Sequence, residues 1–107
     1  MIEQIGVRQL REMIVGGERL LLLDVRQPWE HETARLPESV LIPLNELPER
    51  LDEIEPPAGA VVVCYCHHGV RSLSAAAILG DAGIRAVSLA GGIDAWSVAI
   101  DPDVPRY

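Results

Sequence analysis

The chain has no lysine and no phenylalanine, and it carries only two cysteines, two tryptophans and two tyrosines. Each shortage closes off something. Without lysine, nine arginines face 16 aspartates and glutamates, for a formal charge of -7. Contacts to phosphate backbones and anionic lipid need clustered cations, so neither nucleic acid nor a membrane surface is expected as the main partner. No apolar run approaches the roughly 20 residues that a membrane span requires. The opening MIEQIGVRQL lacks the charged stretch and apolar run of a secretory signal. A cytoplasmic protein is the expectation. Cys64 and Cys66 sit too close along a strand for an easy structural disulfide, and a reducing compartment keeps both as thiols. Without phenylalanine, the core must be built from Val, Leu, Ile and Ala.

What is present suits an ordinary folded protein. At 107 residues, 49% hydrophobic and 23% charged, residues 1–107 form one domain with one core, and 99–107 form an irregular tail. Val7, Leu10 and Ile14 recur at helical spacing before Gly16-Gly17. Leu20 to Val25, Val40 to Leu44, Ala60 to Tyr65 and Arg85 to Leu89 read as strands. Between them, Leu47, Leu51 and Ile54 share a helical face after Asn45. Ala75, Ile78, Leu79 and Ala82 share another, which stops at Gly83. Alternation of apolar strands with helices predicts an α/β fold with a parallel sheet covered on both faces. Ligands of such sheets bind beyond the carboxyl ends of the strands.

The segment VVVCYCHHGVRS falls at such an end. Cys66 leaves the strand before a six-residue turn, Cys66-His67-His68-Gly69-Val70-Arg71, that runs into a helix beginning near Ser72. Successive N–H groups in such a turn form an anion-binding nest, and the positive helix end adds to it. The thiolate of Cys66 is the first anion to benefit, which marks it as a nucleophile rather than a packing thiol. Gly69 supplies the backbone freedom for the curl, and Arg71 a permanent charge at its end. Cys64, inside the valine run, reads as packing, with a disulfide to Cys66 as the alternative. His67 and His68 have donor atoms for zinc, but no second cluster exists to complete a site, so no metal is expected. They read instead as solvent-facing loop residues. Asp24 and Arg26 interrupt an apolar strand at its carboxyl end, where a buried Asp24 needs a partner, either Arg71 or Arg26. Trp29 and Trp96 read as cover for the core or a pocket wall, and Glu30 and Glu32 as a solvated helix face.

Three segments, LLLDVRQPWEHE, CHHGVRS and GGIDAW at 91–96, resemble those of single-domain rhodaneses and fall in that family's order. The resemblance implies a rhodanese-like fold, with a central parallel sheet of about five strands and helices on both faces. It implies a sulfurtransferase in which Cys66 accepts a sulfane sulfur, from thiosulfate or a protein persulfide, and passes it to a thiophilic acceptor. Arg71 matches the closing arginine of the loop, tied to an acidic partner for which Asp24 is a candidate. The six-residue loop favours sulfur over the larger oxyanions taken by the longer loops of related phosphatases. No cofactor is implied. The end, AWSVAIDPDVPRY, resembles rhodanese domains fused to adenylyltransferases of molybdopterin and thiamine pathways, which suggests a sulfur-carrier protein or a cysteine desulfurase as partner. Where relatives have Gly-His-Ile-Pro-Gly-Ala, this chain has Ala34-Arg35-Leu36-Pro37-Glu38-Ser39. Two other readings stay open: a non-catalytic binding module on this fold, and a thiol redox protein using Cys64 and Cys66.

Overall fold

The computed structural model describes residues 2–107. Five strands, β1 (Gln4–Ile5), β2 (Leu20–Asp24), β3 (Val40–Leu41), β4 (Val61–Tyr65) and β5 (Ala86–Leu89), form one sheet in the order β1-β5-β4-β2-β3. Every pairing is parallel, with Leu23 opposite Cys64 and Cys64 opposite Ser88. The central β4 is buried at every position, which is why its sequence runs apolar instead of alternating.

Successive side chains of a strand point to opposite faces, so in place of the single core expected there are two, one on each face of the sheet. Val61, Val63, Tyr65, Val87 and Leu89 pack with Leu10 of α1 (Val7–Val15) and with Ile93 and Trp96 of α4 (Gly92–Ala99). Val62, Cys64, Cys66, Leu23 and Val25 pack on the other face with Ala75, Ala76 and Leu79 of α3 (Arg71–Asp81). Leu47 and Ile54 complete that second core. A short helix α2 (Pro28–Thr33) follows β2, opened by Pro28 at its first turn and by a reciprocal bond pair between Gln27 and Glu30.

The expected α/β fold with helices on both faces is therefore present, with local differences. The helix expected over Leu47–Ile54 is two 3₁₀ turns, Leu44–Glu49 and Leu51–Glu53, with Pro48 inside the first. Proline has no N–H for an α-helical bond, so the apolar face survives while the wider helix does not. The strand expected over Val40–Leu44 is only two residues long, because Pro43 follows and the chain lies at the sheet edge. α4 runs to Ala99, one residue into the tail expected to be irregular. Strand β1 was not expected; two residues are too few to show a period.

Candidate active site

β4 delivers Cys66 to the carboxyl edge of the sheet, and the chain turns through His67–Val70 before α3 begins at Arg71. The turn curls back over the thiol. The Gly69 N–H points at Cys66 Sγ from 3.1 Å, and Sγ lies 3.5 Å from Ser72 Oγ in the first turn of α3. Ser72 in turn shares a 2.7 Å hydrogen bond with Ser88 of β5. All three side chains are buried. Ser88 reaches this point because its position in β5 faces α3, on the opposite side of the sheet from its neighbours Val87 and Leu89.

Two glycines make the curl fit. Gly69 has φ +102, and a Cβ there would also come within 3.1 Å of Gly91 N and 3.2 Å of the Leu89 carbonyl oxygen. Gly92 has φ +60, and its Cβ would lie 2.4 Å from the His67 carbonyl oxygen. That crowding follows from a direct joint between loop and helix: the first amides of α4 donate to the loop, Ile93 N–H to Cys66 O at 2.9 Å and Asp94 N–H to His67 O at 3.1 Å. The Gly-Gly-Ile-Asp run is thus the other half of the loop's support.

Arg71 ends the loop in a bidentate pair with Glu30 of α2, at 2.6 Å and 2.8 Å. This corrects two expectations. Glu30 is 3% exposed, not part of a solvated face. Asp24 is not Arg71's partner: it pairs with Arg26 through two side-chain bonds of 2.8 Å and 2.7 Å, and with His31 Nδ1 at 2.8 Å. Asp24 and Arg26 are both fully buried, so their mutual pairing answers the need for a partner. Burial disfavours the charge of Glu30, but the bonds from Arg71, the Gln27 N–H and the Tyr107 hydroxyl outweigh it and hold the carboxyl down at about 2. Its hydrogen bond to Glu30 keeps Arg71 firmly protonated.

The two loop histidines divide. His68 is exposed, 64% of its side chain, and lies 3.9 Å from Asp94. His67 stacks between His68, at 4.0 Å between ring centroids, and Tyr107, at 4.1 Å. Partial burial and the neighbouring His68 both lower its pKa. Among the described residues no group of three His, Cys, Asp or Glu side chains is placed to hold a metal ion. Val70 is exposed at the rim. Trp29 is exposed too and meets Tyr107 edge-on at 5.7 Å, whereas Trp96 is buried in the core. Cys64 is fully buried; desolvation, with a smaller push from Cys66, raises its pKa to about 12.

The loop therefore gathers Cys66, His67, His68, Gly69, Val70, Arg71 and Ser72 as one unit, with Asp24 and Arg26 behind it. Sequence reasoning missed Glu30, Ser88 and Tyr107. A weak signal for Glu30 existed, since an acid at the third position of a proline-opened helix caps that helix and so sits close to its end. A groove of about 540 Å³ also opens between α1 and α4, lined by Arg11, Ile14, Leu20, Leu22 and Trp96 among others. None of the loop residues reaches it.

A parallel five-stranded sheet with a cysteine loop curled at its carboxyl edge defines a class of α/β proteins, and the comparisons name it. The rhodanese-like domain model matches residues 7–99, and the chain belongs to that family. A sulfurtransferase of Allochromatium vinosum is 36% identical over 91% of this chain and 90% of its own length. "Probable adenylyltransferase/sulfurtransferase MoeZ" of Mycobacterium tuberculosis is 37% identical over 94% of this chain, which spans only 26% of that longer protein. The crystal structure of a rhodanese-like domain protein from Staphylococcus aureus superposes with a TM-score of 0.83, at 25% identity, covering 99% of both chains.

Proposed function

We propose that this protein is a sulfurtransferase that carries a sulfane sulfur as a persulfide on Cys66. The observation that carries the reading is the Gly69 N–H aimed at Cys66 Sγ from 3.1 Å, at the mouth of a loop closed by Arg71. Sulfurtransferase names among relatives that align over nearly all of their length support it.

In the first half-reaction the Cys66 thiolate attacks the outer sulfur of the donor. A new S–S bond forms, the donor's own S–S bond breaks, and its electron pair leaves with sulfite when thiosulfate is the donor, or with a thiolate when a protein persulfide is. The terminal sulfur then carries negative charge, which the Gly69 N–H aimed at Sγ and the positive end of α3 would stabilise. In the second half-reaction a thiophilic acceptor attacks that sulfur, and Cys66 leaves as thiolate. Two half-reactions through one covalent intermediate give ping-pong kinetics. A protein partner, either a sulfur-carrier protein or a cysteine desulfurase, fits the relatedness to the adenylyltransferase-linked domain. The buried Cys64, its ionisation disfavoured by desolvation, supports a packing role over a redox pair.

Intact mass after incubation with thiosulfate tests the reading. A gain of about 32 daltons, one sulfur, is expected in the parent and not in Cys66→Ser. Failure with thiosulfate and with a cysteine-desulfurase persulfide alike would leave a binding module as the function.

A further inference from the structure

The segment 101–107 brings Tyr107 against His67 of the active loop and against Glu30, the partner of Arg71. The ring stacks on His67, the residue after the nucleophile, with planes 12° from parallel. The hydroxyl lies 2.7 Å from Arg26 Nη1 and 2.7 Å from Glu30 Oε2. A guanidinium only donates, so the hydroxyl accepts from Arg26 and gives its own proton to Glu30. Burial pushes the phenol's pKa up to about 12, so that proton is in place at neutral pH. The Glu30 carboxylate then holds four donors. Oε1 takes Arg71 Nη1 and the Gln27 N–H, and Oε2 takes Arg71 Nη2 and Tyr107.

The backbone that presents the ring is itself anchored. Val104 is buried in the core and its carbonyl accepts a bond from Ser97 Oγ, while Arg106 pairs with Asp94 of α4 at 2.8 Å. One rigid side chain thus touches His67 by stacking and Arg71 through a single carboxylate, four positions apart in the sequence.

We infer that Tyr107 is a positioning residue for the sulfur-transfer loop, setting the separation of its His67 and Arg71 ends and so the aim of the Gly69 N–H at Cys66. The inference rests on the proposed role of Cys66. Tyr107→Phe keeps the stack and removes the hydroxyl bonds. Two readings are taken on it, in the parent and in an Arg71→Ala background: the rate of persulfide loading and the ¹⁵N–¹H resonance of Gly69. In the parent, loading should fall roughly tenfold, the scale of one hydrogen bond to a charged group, with the loss in kcat and not KM. The Gly69 resonance should shift with it. In the Arg71→Ala background both effects should shrink below about twofold, because the path from hydroxyl to loop runs through that arginine. Should Arg71→Ala not fold, Arg71→Met keeps the apolar stem and removes the same link. Equal effects in both backgrounds, or an unmoved Gly69 with unchanged loading, would overturn the inference. A parent that never loads sulfur, with Gly69 still shifting in the parent alone, would refute the persulfide role and keep the positioning.

Discussion

Glu38 is the one described residue other than glycine with a positive φ, at 60°. It stands where the resembling family carries glycine, in the turn Ala34–Ser39. That turn keeps its place without the glycine because it is tied down on both sides: Arg26 donates to the Ala34 carbonyl, and Tyr65 shares its hydroxyl with the Leu36 N–H and Ser39 Oγ. The left-handed conformation costs a residue with a Cβ about 1 kcal/mol or more, and glycine's extra freedom in the unfolded chain offsets part of the relief. Glu38→Gly should therefore raise stability by about 0.5 kcal/mol, read from the urea midpoint, and an unchanged or lower midpoint would refute the strain. Cys64 makes the contrasting case, a thiol beside the site that packing explains. Cys64→Ala should cost about 1 kcal/mol as a small cavity in the core while leaving sulfur loading within about twofold. Collapse of loading would give that thiol a chemical role.

Elements decide how the loop is held, and the joint between α4 and the loop is the tightest part of it. Gly92→Ala adds an atom 2.4 Å from the His67 carbonyl oxygen, at a φ of +60 that already disfavours a side chain. The Ile93 and Asp94 amides would have to lift off Cys66 and His67, leaving buried groups unpaired. A loss on the order of 2 kcal/mol or more is expected by urea denaturation, with sulfur loading at least tenfold slower. Gly80→Ala is the control, a helical glycine with nothing within 4 Å of its Cβ. It should stabilise α3 by roughly 0.5–1 kcal/mol and leave loading alone. Should both substitutions slow loading equally, the joint would not be the cause. The long periodic segments were legible in the sequence at this scale because burial on both faces leaves an unbroken apolar run. The short ones were not. β1 and β3 are held by neighbours across the sheet, and the 3₁₀ turns owe their shape to Pro48, which an apolar period does not register.

At the scale of the whole molecule, the readable part of the site was the part local in sequence, and the missed part was contributed from elsewhere. Cys66 to Ser72 form one continuous stretch whose turn and helix start announce an anion cradle. Glu30 lies 41 positions from Arg71, and Tyr107 lies 77 from Glu30. Nothing in α2 alone says that one of its acids turns inward; the arginine arriving from β4's far end does. The same long-range pairing predicts how stability responds to acid. Glu30 is held at about 2 in the fold, against an ordinary 4.5. A carboxyl lowered on folding contributes fully above its unfolded value and loses that contribution as pH falls from about 4.5 toward 2. On this 3%-exposed residue the contribution is on the order of 2–3 kcal/mol. Glu30→Gln should accordingly be less stable than the parent by that order at pH 7, with the gap closing as pH drops to 3. Urea denaturation of both proteins at pH 7, 5 and 3 measures it, and a gap that stays constant across the series would mean that the carboxylate's charge is not what binds α2 to the loop.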